Sequence, residues 1–170
     1  LGVTAGQTNL FTAAPTIALT APADGEVFYR TPPIVLSATA SDTDGTIAAV
    51  EFWDGSTTLA TVTGAPYTWS WTNAPIGAHV LTARAIDNLG AEGGSLPANI
   101  TVVSAPPTVT LTSPTNGSSV LAGTPVSLTA TATDPDTAVV GVDFYVDGAL
   151  LGTANTPPYV WTWTATTAGT

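Results

Sequence analysis

The 170-residue sequence predicts an all-β chain of tandem two-sheet β-sandwiches, about seven strands to a repeat. Three observations predict it. First, Tyr67-Thr68-Trp69-Ser70-Trp71-Thr72 and Tyr159-Val160-Trp161-Thr162-Trp163-Thr164 alternate rings with smaller residues, so a strand puts all the rings of each copy on one face. Four of the five Trp lie in these hexapeptides. Burying one Trp removes roughly 200 Å² from water, on the order of 5 kcal/mol as an upper bound, so each copy is expected to anchor one core. Second, the segment from Pro15 to Pro22 aligns with that from Pro107 to Pro114 at an offset of 92 residues. The register holds without a gap at Gly25/Gly117, Asp42/Asp134, Asp44/Asp136, Phe52/Phe144, Tyr67/Tyr159, Trp71/Trp163 and Gly77/Gly169. Third, no helical period survives anywhere, and short alternating segments are broken about every ten residues by Gly, Pro and Asp.

The elements of the first repeat follow in order. Residues 16–21 alternate Ile17 and Leu19 against small side chains, and Pro22-Ala23-Asp24-Gly25 is a turn. Residues 34–40 form the second strand and Ser41-Asp42-Thr43-Asp44-Gly45 the loop after it. Residues 47–53 form the third, closed by the hairpin signal Asp54-Gly55. Residues 58–62 and 67–72 follow, then the turn Asn73-Ala74-Pro75-Ile76-Gly77. In residues 79–86, Leu81, Ala83 and Ala85 share one face while Thr82 and Arg84 lie on the other. Residues 98–103 close the repeat.

The offset also divides the chain. Residues 13–104 are expected to form a complete domain, and residues 105–170 a second domain lacking its last two strands. Residues 1–12 fit the final strand of a preceding or neighbouring repeat, because Leu10-Phe11 fall where Val102-Val103 lie at the same offset. The numbering is expected to begin after any signal segment or inside a longer polypeptide. Between the domains, Ser104-Ala105-Pro106-Pro107 is short and has two prolines that fix φ, which predicts a semi-rigid linker.

Composition excludes several classes of function. The formal charge is −10, Lys is absent, and Arg30 and Arg84 are the permanent cations. A nucleic-acid partner needs a basic face, and an anionic membrane surface repels such a chain. No apolar run approaches the roughly 20 residues of a membrane helix. Charged residues make up only 8% of the chain, and there is no Cys. This Thr-rich, weakly charged composition suits an exported bacterial or archaeal surface protein.

The pattern resembles the bacterial immunoglobulin-like (Big-type) repeats. The resemblance is carried by Pro15–Pro22, Ser41–Gly45, Val50-Glu51-Phe52-Trp53-Asp54-Gly55, Pro66–Trp71 and Leu81–Gly90. In the second repeat it is carried by Pro107–Pro114, Asp134-Pro135-Asp136, Val142–Gly148 and Pro158–Trp163. It implies tandem immunoglobulin-like β-sandwiches. It also implies a role as a spacer in adhesins, surface-layer or filament proteins, or as an accessory module beside polysaccharide-degrading enzymes.

Candidate sites follow from residue chemistry. The single His79 would have to serve any Ser/His/Asp triad, and on a strand it is read as a structural histidine. Asp42 and Asp44 recur as Asp134 and Asp136, and a hydrolase does not usually duplicate its acid–base pair, so no enzyme is expected. Hard carboxylate oxygens suit Ca²⁺, and in an immunoglobulin-type sandwich Asp87 and Asn88 approach Asp42 and Asp44 at one end. Asp42, Asp44, Asp87, Asp134 and Asp136 are therefore candidate calcium ligands, beside the plainer reading that they cap turns. Tyr67, Trp69, Trp71, Tyr159, Trp161 and Trp163 are expected in the cores rather than as a sugar-stacking platform, and Trp53 as the more exposed ring. Asn99-Ile100-Thr101 and Asn116-Gly117-Ser118 are N-glycosylation patterns.

These features point to a structural repeat module on the outside of a bacterial or archaeal cell, a semi-rigid rod or filament. Its partners are neighbouring repeats or copies of itself, with strand donation through Leu10 and Phe11 as one version. The alternative is a spacer or accessory carbohydrate-binding module of a larger secreted protein acting on polysaccharide.

Overall fold

The computed structural model describes residues 12–165 and divides them into two units that meet between Val103 and Ser104. The assignment of residues 1–12 to a foreign repeat, with Leu10 and Phe11 as donated residues, lies outside the described residues except at Thr12. All regular structure described is β.

Unit one has nine strands: β1 (Thr16–Ala21), β2 (Val27–Tyr29), β3 (Ile34–Ser41), β4 (Ile47–Asp54), β5 (Thr57–Val62), β6 (Tyr67–Trp71), β7 (Gly77–Asp87), β8 (Glu92–Gly94) and β9 (Ala98–Val103). One sheet has the order β1-β3-β6. The other has the order β2-β9-β7-β4-β5, with β8 also paired to β7. All pairs are antiparallel except β2 with β9.

The two strands beyond the expected seven are the three-residue β2 and β8. In β2, Val27 and Tyr29 face solvent and only Phe28 packs on the core, too short an alternation to mark a strand. In β8, Glu92-Gly93-Gly94 has little strand propensity of its own and is held by the register Arg84↔Gly94 and Ile86↔Glu92. A Cβ on Gly93 would run into the carbonyl oxygen of Pro15, so this position is open only to glycine.

Alternation places the core. Ile34, Leu36, Val50, Phe52, Leu81, Ala83, Ala85, Ile100 and Val102 point inward from both sheets. Trp71 is buried against them, while Tyr67 and Trp69 of the same strand are half-buried and pack on the same core. Pairing to β3 in the register Ile34↔Trp71 and Leu36↔Trp69 fixes which face the rings occupy.

Unit two has β10 (Thr108–Ser113), β11 (Pro125–Thr133), β12 (Val142–Val146), β13 (Ala149–Ala154) and β14 (Tyr159–Thr164). They form the sheets β10-β11-β14 and β12-β13. The repeat extends to irregularities. The bulge at Leu19/Ala21 of β1 returns at Leu111/Ser113 of β10, and that at Phe52/Trp53 returns at Phe144/Tyr145. The core here is Leu128, Ala130, Val142, Phe144 and Tyr159, with Trp161 and Trp163 half-buried against it. The Trp161 indole occupies space that any Cβ on Gly152 would fill.

Candidate functional site

The loop after β3 and its counterpart after β11 carry the recurring carboxylates. Asp42 turns the first loop: its Oδ1 accepts the Asp44 N–H at 3.4 Å. Asp44 faces the other way, and its Oδ2 accepts the N–H of Ala13, the segment leading into unit one, at 2.9 Å. The second loop repeats this. Asp134 Oδ1 accepts the N–H groups of Asp136 and Thr137 at 3.0 and 2.8 Å. Asp136 Oδ2 accepts the N–H of Ala105 at 3.0 Å, and its Oδ1 accepts the Ser104 hydroxyl at 3.0 Å. In both units the first Asp builds the turn and the second grips the chain entering the domain. The N–H groups of Asp136 and Thr137 hold the Asp134 carboxyl below its ordinary value, since they favour its charged form.

Asp87 and Asn88 do reach this end of unit one. The Asn88 N–H donates to Thr46 O at 2.9 Å, and Asn88 Oδ1 accepts the Thr46 N–H at 2.8 Å. Asn88 Oδ1 and Asp42 Oδ2 both crowd the place a Cβ on Gly45 would take. Asp87 is buried, and its Oδ1 accepts the N–H groups of Leu89 and Ala91 at 2.7 and 2.8 Å, which forms the turn into β8. The Oδ2 atoms of Asp42 and Asp87 are buried without a partner. Among the described residues, no three acidic or imidazole side chains gather closely enough to share a metal ion.

His79, on β7, is buried at 8% exposure. Its Nε2 donates to Pro75 O at 2.8 Å, its Nδ1 meets Asp54 Oδ2 at 2.7 Å, and its ring meets Trp71 edge-on at 5.0 Å between centroids. Both nitrogens are committed to structure, and the Asp54 partner was not anticipated from sequence. The other acceptor patterns are surface positions. Asn99 Nδ2 donates to Asp24 Oδ1 at 2.9 Å, and Asn116 lies in an exposed turn that the Ser118 N–H closes on Thr115 O at 3.0 Å.

Trp69, Trp71, Trp161 and Trp163 all pack on cores, so the hexapeptides offer no stacking platform. Trp53, expected from sequence to be the more exposed ring, lies on the outer face of β4 and β7. There Glu51 Oε2 accepts from Arg84 Nη2 at 2.7 Å, Arg84 Nε at 3.1 Å and Trp53 Nε1 at 3.1 Å, and Arg84 Nη1 donates to Glu92 Oε2 at 2.8 Å. The guanidinium lies 5.1 Å from the Trp53 ring centroid. The cross-strand pair Glu51↔Arg84 could have been found from the alternation of both strands, had their register been known.

The chain is similar to several known proteins. The chain is 34% identical to the fibronectin(III)-like modules of Clostridium thermocellum CbhA, over 88% of this chain and 79% of that one, with a TM-score of 0.49. It is 21% identical to carbohydrate-binding modules of the β-sandwich superfamily over 71% of this chain and 58% of that one, TM-score 0.43. With the titin domains z1z2 the identity is 17% over 93% and 84%, TM-score 0.45. No curated protein matches the chain. The description "Bacterial Ig domain" fits residues 15–83 and 107–170, the two copies offset by 92 residues. With its two-sheet cores and its repeated turn carboxylates, the chain belongs to the bacterial Ig domain family.

Proposed function

We propose that this chain is a non-catalytic structural module of an extracellular or cell-surface protein, a semi-rigid spacer in an adhesin stalk or surface fibre, whose partners are repeats of its own kind. The observation that carries this reading is the paired grip of Asp44 on Ala13 and of Asp136 on Ala105. A spacer transmits position only if the chain enters each domain along a fixed path. A charged acceptor on a backbone N–H supplies that restraint, worth about 1 kcal/mol where water competes. Pro106-Pro107 follows at once and restricts φ on the next two residues. On this reading Asp42, Asp44, Asp87, Asp134 and Asp136 act through turns and linker amides, without Ca²⁺. Among the described residues, no helix is long and apolar enough to cross a membrane, which agrees with a module displayed outside one.

The absence of Cys makes a clean test available. Spin labels on Ser56→Cys and Ser119→Cys, both exposed positions, report the distance distribution between the units. A narrow distribution that broadens in Asp136→Ala, and that neither Ca²⁺ nor a chelator alters, is the expected result. A distribution already broad in the parent chain would overturn the spacer reading. Broadening on chelation would return the five carboxylates to calcium.

A further inference from the structure

The outer face of β4 and β7 holds a groove of about 340 Å³ beside Trp53 and Arg84. Gly55 and Gly94 line it, and nothing stands within 4 Å of where a Cβ would sit on either. Both glycines border open space on this face. Trp53 is the one Trp of the five that packs in neither core. Its indole is nonetheless fixed, by Nε1 on Glu51 and by the guanidinium against the ring. A fixed aromatic loses little side-chain freedom when a ligand settles on it. The position recurs: Tyr145, 92 residues on, is 58% exposed on the same strand of unit two, again two residues after an acid, Asp143.

Charge and hydrogen-bonding capacity narrow the ligand class. Two carboxylates face one guanidinium, and the chain carries a formal −10, so an anionic ligand is repelled. Both carboxylates hold Arg84 through Oε2. The groove therefore offers the Trp53 ring and the Thr82 hydroxyl, and its one cation, Arg84, is balanced by Glu51 and Glu92. An uncharged molecule with an apolar face and many hydroxyls matches all of these. We infer that this groove is a contact site for neutral polysaccharide, with a pyranose ring lying against Trp53 and a hydroxyl reaching Thr82.

Native gels containing hydroxyethylcellulose, arabinoxylan or galactomannan, with polygalacturonate as the anionic control, test this on the whole chain. At least one neutral gel should retard the protein and polygalacturonate should not. Trp53→Ala should weaken the retardation about tenfold, the scale of one lost aromatic contact. Gly94→Leu adds a side chain to the groove from β8, beside Arg84, and should weaken it as much. Gly94 has room for a side chain, so this variant decides the matter if Trp53→Ala fails to fold. Migration unchanged in every neutral gel, retardation by polygalacturonate alone, or equal retardation of parent and Gly94→Leu would overturn the inference. The spacer reading does not depend on the outcome.

Discussion

At the scale of single residues, His79 is the most informative. Pro75 O can only accept, so Nε2 donates to it, and the Asp54 carboxylate beside Nδ1 is a second acceptor. The His79–Asp54 pair is 8% exposed on the histidine side and 24% on the carboxylate side. The same carboxylate accepts the Val80 N–H through Oδ1 at 3.2 Å, which ties the β4–β5 hairpin to β7. Removing one partner of such a pair strands the other and costs about 2–4 kcal/mol. His79→Ala and Asp54→Ala are each expected to lower stability on that scale. In urea denaturation the double mutant should fall short of the sum of the two losses by about 1–3 kcal/mol. Strict additivity would mean that His79 contributes only its edge-on packing against Trp71. Sequence placed His79 on a strand and read it as structural. It could not supply Asp54, because that contact depends on the register of β4 against β7 between residues 25 positions apart.

At the scale of elements, the loop after β11 makes a pH prediction. Hydrogen bonds from Asp136 and Thr137 lower the Asp134 carboxyl below its ordinary 3.8. The sign follows by linkage: the stabilising contribution is complete above the ordinary value and is lost as the pH falls through the lowered, folded value. Asp24 behaves alike, lowered by the Asn99 N–H and the Asn99 side chain. Acid titration of stability should therefore show a falling limb below about pH 4 that flattens in Asp134→Asn, and flattens further when Asp24→Asn is added. A limb unchanged by both substitutions would place the acid sensitivity elsewhere. Elements also show what sequence can carry. The strands containing Ile17, Leu36, Phe52, Trp71, Leu81 and Val102 were legible because each alternates strongly enough to bury one face. The strands β2 and β8 were not, because three residues are too few to show a period and their pairing is imposed by β9 and β7. Likewise Asp42 was legible as a turn former from its spacing alone. The grip of Asp44 on Ala13 spans 31 positions and needed the fold.

At the scale of the molecule, the two units should not share one stability. The six largest side chains with under 2% exposure, Phe52, Ile34, Leu36, Leu81, Val50 and Val102, all belong to unit one. Each contributes about 1.5–3 kcal/mol relative to an exposed position, so the difference between the cores is large. The inward positions of the first strands show the same contrast. Ile17 and Leu19 in β1 are half-buried against the core, whereas their counterparts Val109 and Leu111 in β10 are 62% and 54% exposed. Since the units are joined at Ser104 by a short segment, each can open while the other stays folded. Hydrogen exchange read segment by segment should then find β11 and β14 losing protection well before β4 and β7. As urea is raised, unit two should exchange through whole-unit unfolding while unit one still exchanges only locally. Equal protection in β4 and β11, lost together at one urea concentration, would show instead that the two domains unfold as a single cooperative body despite their unequal cores.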